Sequence, residues 1–516
     1  MKKTVLTLSV FAATAALAAP SFHVVFNSNM VLPRGVPVPV WGAGGTAGET
    51  LTVTFGEQTQ TCTVGEDGSW SVEFDAMAAN STGQSLRAVG AKSGASATLA
   101  NILVGDLWLV AGQSNAEYGF DSPVIGRTEM IAAADNYPCI RYLKITSGGN
   151  SLPQGSFTPQ RNWTVMSSAT IVQSKSPTCI GYLMAREINA RKGVPVGVID
   201  AACSGSVIQP YISYDGCRAV PGCADEQKEV ESCRKVFYDW AKLIVESDAA
   251  KDYGRVGEPR SGSCFSTSYD NAMLYPLRKV PLTGVVWYQG ESDANKAGRY
   301  TDRLTAFVRG LRLRWGANLP VCLVQLSSYE DVDYAPIREI QRRVAATERT
   351  GLVVTIDVGS PHDIHPSNKA DVAHRAALWA MREVYGDTVH EYTGPECVSA
   401  TVSGSAVRLK FDHVGDGLFA GSRASDVNFD VPVEQASLSG FQLAGADGKF
   451  VWATSTRVDG TDAVVVAASG VTSPKTVRYA YAKNFCGASL LFSRFTNYAG
   501  ETDYLPASPF EIAVGE

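Results

Sequence analysis

Past residue 17 the chain contains no apolar run long enough to cross a membrane, so the body of the protein offers no transmembrane anchor. It also lacks a strong charge of either sign. Formal net charge is -6 and becomes -8 once Lys2 and Lys3 are discounted, too mild for this length to mark nucleic acid or an anionic membrane surface as the main partner. No Cys-x-x-Cys pair occurs, and no histidine lies near the cysteine cluster at 217–264, which argues against zinc. Histidine is scarce, at six residues, and there is no internal repeat. With 45% hydrophobic and 19% charged residues, the composition excludes long disordered tracts.

What is present begins with a leader pattern. Lys2 and Lys3, an apolar stretch from Val5 to Leu17 and the small-x-small triplet Ala16-Leu17-Ala18 read as a signal peptide over 1–18, with the mature chain starting near Ala19. The expected location is periplasmic or secreted. The soft prior of about 150 residues per domain divides the 516 residues into three units. Eleven cysteines lie in the mature part, and export permits disulfides. Cys217, Cys223, Cys233 and Cys264 suggest a loop-rich insertion over 215–264 stapled by such bonds, whereas Cys322, in an apolar strand candidate, reads as a buried free thiol.

From 19 to 101 the pattern has a period of two, as in Leu51, Val53, Phe55 and in Trp70, Val72, Phe74. Glycine-rich turns separate these runs, which predicts an N-terminal β-sandwich. From 102 to 388 apolar strands (102–110, 194–201, 284–288, 321–326, 352–358) alternate with amphipathic helices. One helix carries Ile180, Leu183, Met184 and Ile188. Another carries Leu304, Phe307, Val308 and Leu311, and a last one spans about 368–385 with Ser367 as cap. Such alternation predicts an α/β unit with a mostly parallel sheet. From 389 to 516 the period of two returns, so a second all-β domain, read as a C-terminal β-sandwich, closes the chain.

Chemistry concentrates at the ends of the predicted strands, where open α/β sheets carry their sites. Gly112-Gln113-Ser114-Asn115 follows the strand ending at Val110. Gly112 allows a tight turn, Gln113 and Asn115 can hold the loop by side-chain hydrogen bonds, and the Ser114 hydroxyl stays exposed. Asp363-Ile364-His365-Pro366 follows the last strand. Pro366 favours an extended His365, which sets Asp363 on the same side as the imidazole, able to fix its tautomer while His365 takes the proton of Ser114. Candidate oxyanion donors are the N–H of Ser114, a backbone N–H at Gly205 in Ser204-Gly205-Ser206, and the Gln289 amide in Trp287-Tyr288-Gln289-Gly290-Glu291-Ser292-Asp293. Glu291 reads as orienting Gln289 or the serine loop, with a second acid as the alternative. No metal or other cofactor is expected, because one histidine with one aspartate makes no metal-ligand cluster.

The serine, Trp287–Ser292 and Asp363–Pro366 blocks resemble those of the sialate O-acetylesterase family, a branch of the GDSL/SGNH hydrolases. Asn29-Met30-Val31-Leu32, Val477-Arg478-Tyr479-Ala480 and Pro506-Ala507-Ser508-Pro509-Phe510 also fit the family pattern, while Ala116 stands where it usually has Met and Pro33 where it has Gln. The resemblance implies a flavodoxin-like SGNH fold and acetyl-ester hydrolysis on sugars, with Ser114 as nucleophile, His365 as base, and Gly205 and Gln289 as oxyanion donors. The expected substrate is an O-acetylated sialic acid on a glycan. The alternatives are another acetylated glycan such as xylan and a non-catalytic glycan-binding protein on the same scaffold. A sialic acid carboxylate calls for a cation, for which Arg218, Arg234, Arg255 and Arg260 of the insertion are candidates.

Overall fold

The computed structural model describes residues 19–246, 265–423 and 431–515. The leader pattern, Cys264, Arg255 and Arg260 lie outside the described residues. The molecule is built around one strand, β1 (Ser96–Gly112), of 17 residues. Its first half alternates toward solvent and pairs antiparallel with Asn80–Gly90 of the N-terminal sheets. From Ile102 onward every residue is buried. A run such as Ile102–Val110, apolar except for Gly105 and Asp106, suits a strand covered on both faces. One strand thus passes without a break from the N-terminal β region into the central sheet.

That sheet contains β2 (Ile140–Ile145), β3 (Val196–Ala202), β4 (Gly284–Tyr288), β5 (Val321–Val324) and β6 (Gly351–Val353), in the order β2-β3-β1-β4-β5-β6. Every neighbouring pair in this run is parallel. Pro159–Val165 adds an antiparallel edge to β2. Helices cover both faces, as the two large tryptophans show. Trp108 lies opposite Gly284 and Trp287 opposite Ala111 in the β1–β4 register, so the two rings point to opposite faces. Trp108 packs on Trp379 of the helix Ala370–Glu383, and Trp287 on Phe307 of the helix Ala297–Trp315.

Several local expectations need correction. The apolar run at 352–358 is strand only as far as Val353; Val354 and Ile356 remain buried because they join the core of the C-terminal region. The last helix begins at Ala370, and Ser367 is not its cap: Lys369 holds the N-cap position, and Asn368 exchanges hydrogen bonds with Asp371. The described part of the cysteine-rich segment is helical, not loop-rich, with helices Tyr214–Arg218 and Ala224–Glu246. Cys217 and Cys223 are buried free thiols, so no disulfide staples these two residues. The segment is held instead by Glu226, which accepts from Arg299 and Arg303 at 2.9 and 2.7 Å. Cys322 is buried and free.

Beyond Glu396 the described chain forms three four-stranded antiparallel sheets around a second core. This region is bolted to the helical layer by His374, whose ring nitrogens lie 3.0 Å from Glu187 and 2.9 Å from Asp503. Burial opposes the charge on His374, yet the two carboxylates prevail and raise its pKa to about 10. Among the described residues no helix is long and apolar enough to cross a membrane.

Candidate active site

At the carboxyl ends of β1, β3 and β4 the chain turns sharply. Gly112 has a φ of 139°, and a Cβ there would overlap the Tyr288 carbonyl oxygen, so only glycine lets β1 turn this close to β4. The turn opens a single helical turn, Ser114–Glu117, with Ser114 first. Gln113 is buried, and its side-chain oxygen accepts from Gln289 Nε2 at 3.2 Å and from the backbone N–H groups of Gly290 and Ser292 at 3.4 and 3.2 Å. The serine turn is thereby tied to the loop after β4.

His365 comes from the irregular stretch between β6 and the last helix, 251 positions away in sequence. Its Nε2 lies 2.8 Å from Ser114 Oγ. Burial and the nearby ammonium of Lys369 hold its pKa below the usual 6.5, against the pull of Asp363. Asp363 is placed differently from the simplest triad geometry. Its carboxylate accepts the backbone N–H of His365 at 2.8 Å and stands 3.9 Å from Nδ1, outside hydrogen-bond range of the ring.

Behind this pair lies a buried polar chain. Asn115 donates to Glu291 Oε1 at 2.6 Å and to the Ile364 carbonyl at 3.0 Å, and accepts from Lys369 Nζ at 2.7 Å. Glu291 thus holds the serine loop, the first of its two readings, and burial raises its pKa. Gln289 does not open on the site. It is fully buried, and its amide nitrogen is directed to Asp293 at 2.8 Å, Ser206 carbonyl at 3.1 Å and Gln113 at 3.2 Å. Two N–H groups committed to three acceptors inside the protein leave none aimed at a ligand, which corrects the expected role of Gln289 as an oxyanion donor. Gly205 is exposed, with a φ of 72°.

Ser114 and His365 line a cleft of 340 Å³ together with Glu117, Tyr118, Lys144, Lys175 and Ser204. Glu117 accepts from the Ser204 N–H at 3.0 Å and hydroxyl at 2.7 Å, which fixes the loop carrying Gly205 beside the serine turn. Lys144 is paired with Glu117 at 2.9 Å and Asp200 at 3.2 Å. Arg218 and Arg234 are not in the wall; both lie over the Tyr214 ring, at 5.9 and 4.0 Å. Sequence reasoning missed Glu117, Tyr118, Lys144, Lys175 and Lys369. Glu117 carried a readable signal, being three residues after Ser114 and hence on the same side of a helical turn. Among the described residues no group of three or more histidines, cysteines and carboxylates could hold a metal ion.

A profile of the family described as "Carbohydrate esterase, sialic acid-specific acetylesterase" matches residues 263–379, which hold β4, β5, β6 and the histidine loop. The chain is 26% identical over 411 residues to the sialate O-acetylesterase of Rattus norvegicus, covering 69% of this chain and 72% of that one. Identity to the sialate O-acetylesterase of Homo sapiens is also 26% over 411 residues, with 72% and 73% covered. A crystal structure of a carbohydrate acetylesterase from Xanthomonas citri superposes with a TM-score of 0.75 at 29% identity, covering 96% of this chain and 99% of that one. Over most of its length the chain is similar to sialate O-acetylesterases and to a carbohydrate acetylesterase. It is a carboxylic ester hydrolase.

Proposed function

We propose that the protein removes O-acetyl groups from sialic acids on glycans through an acyl-enzyme on Ser114. The observation that carries this reading is the 2.8 Å contact between Ser114 Oγ and His365 Nε2 in an open cleft. In the first half-reaction His365 takes the hydroxyl proton while Oγ adds to the acetyl carbonyl. The tetrahedral intermediate collapses to acetyl-Ser114 as His365 returns the proton to the leaving sugar oxygen. A water then attacks with His365 again as base, the acyl–Oγ bond breaks as the imidazolium returns its proton to Ser114 Oγ, and acetate leaves. Oxyanion donors are the Ser114 N–H, which at the first position of a helical turn has no intrahelical partner, and the N–H of Gly205. Asp363 steadies the loop and biases the imidazolium electrostatically without a direct ring hydrogen bond.

The fold reading is a flavodoxin-like SGNH core. Leaving out β2, the parallel strands taken in chain order give 2-1-3-4-5, the flavodoxin order. The sialic acid reading is supported by the family profile and by Lys175, an exposed cation in the cleft wall, while Lys144 is already paired with two carboxylates. The leader pattern supports export. The deciding experiment is acetate release from O-acetylated sialic acid by wild type and Ser114→Ala, alongside acetylated xylan oligosaccharides. Wild type is expected to prefer the sialic acid and Ser114→Ala to be inactive. Faster turnover of acetylated xylan would overturn the substrate, and an active Ser114→Ala the mechanism.

A further inference from the structure

Lys369 occupies a costly position. It is 1% exposed, and burial brings its pKa down to about 7. It also stands at the N-cap of the helix Ala370–Glu383, where the helix dipole disfavours a cation, and its charge opposes protonation of His365. Partial compensation comes from the faces of Tyr118 and Tyr288, whose ring centres lie 4.7 and 5.8 Å from Nζ. The catalytic steps above make no use of it.

Its one contact of consequence is the 2.7 Å hydrogen bond to Asn115 Oδ1. Its N–H donates to the oxygen of the Asn115 amide. The amide nitrogen is then left for two groups that can only accept, Glu291 Oε1 at 2.6 Å and the Ile364 carbonyl at 3.0 Å. All three partners agree on a single amide orientation. The Ile364 carbonyl belongs to the residue immediately before His365, in a loop with no regular secondary structure.

We propose that Lys369 is a positioning residue for His365: its ammonium sets the Asn115 amide, and through that amide the serine turn holds the backbone next to the catalytic imidazole. This rests on the reading of His365 as base. Lys369→Met removes the donor at similar length. Measured on 4-nitrophenyl acetate, it is expected to lower kcat about a hundredfold with KM unchanged, the scale of a small misplacement of a catalytic group. Asn115→Asp keeps an acceptor for Lys369 but loses the donor to Ile364 and Glu291, and is expected to lose kcat to at least a similar extent. The double variant Lys369→Met/Asn115→Asp should be little worse than either single one, since both break the same link. Wild-type kcat in folded Lys369→Met, a change in KM alone, or multiplicative losses in the double variant would overturn the proposal. If Lys369→Met does not fold, Asn115→Asp decides, and wild-type kcat there overturns it. His365→Ala is the control: activity in that variant refutes the base assignment itself, whereas an inactive His365→Ala beside a normal Lys369→Met refutes only the role of Lys369.

Discussion

Ser114 stands on a turn whose neighbours Gln113 and Asn115 are 2% and 1% exposed, whereas His365 stands on an irregular loop, its side chain 37% exposed and that of Asp363 62%. The nucleophile's turn is bonded to the β4 loop through Gln113 and to Glu291 and Lys369 through Asn115, all of them buried. The base's loop meets that turn through the His365 ring at Ser114 Oγ and through the backbone carbonyl of Ile364. The difference teaches where stability and activity are coupled. Substitutions of the buried anchors of the serine turn, Gln113 and Asn115, should cost both, and those of the exposed side chains of the histidine loop should cost activity alone.

The sharpest test of the chemistry common to both halves comes from Ser114→Ala and His365→Ala. Each is expected to lower kcat by about 10⁴-fold or more, as losing a nucleophile or its base does elsewhere, with thermal unfolding unchanged. A much smaller loss in either would detach that residue from the acyl-transfer step. The contrast between the halves is then broken or kept by two side chains. Gln113→Ala leaves the buried Gly290 N–H and the half-buried Ser292 N–H without their side-chain acceptor and cuts the link to Gln289. It should destabilise the fold by about 1–3 kcal/mol and lower kcat with it. Asp363→Asn, on the exposed side, should lower kcat less than His365→Ala and leave the melting temperature in place. Denaturant melts of both variants decide, and equal destabilisation would erase the contrast.

The smallest effect is in pH dependence. His365 must be neutral to accept the serine proton, so activity falls as pH drops through its pKa in the folded enzyme. Burial and the charge of Lys369 lower that pKa from 6.5, so the acid limb of kcat/KM should lie below pH 6.5. A limb at or above 6.5 would mean that Asp363 engages the ring more closely than its 3.9 Å separation shows.

Much of the central sheet was readable, because parallel strands buried on both faces appear as continuous apolar runs. β2 and its antiparallel edge escaped notice, since Ile140–Ile145 carries Arg141 and Lys144 among its apolar residues, charges that the structure buries. The helix Ala224–Glu246 was hidden by the cysteine cluster around it, which drew attention from a run of helix formers such as Ala224-Asp225-Glu226-Gln227-Lys228-Glu229. In the site, the turn glycine at 112, the serine and the histidine could be named from local chemistry. Gln289 could not be placed, because whether a buried amide faces a ligand or the interior depends on Asp293 and Ser206 in three dimensions. Lys369 was invisible for a related reason: a lysine at a helix start is ordinarily solvated.

The claim at the centre of this account is that one serine carries the acyl group. Peptide mass mapping after reaction with a serine-directed fluorophosphonate tests it most directly. The account predicts a single adduct on Ser114, formed at the rate of activity loss and absent in Ser114→Ala. Complete inactivation with Ser114 unmodified and another residue labelled would contradict it.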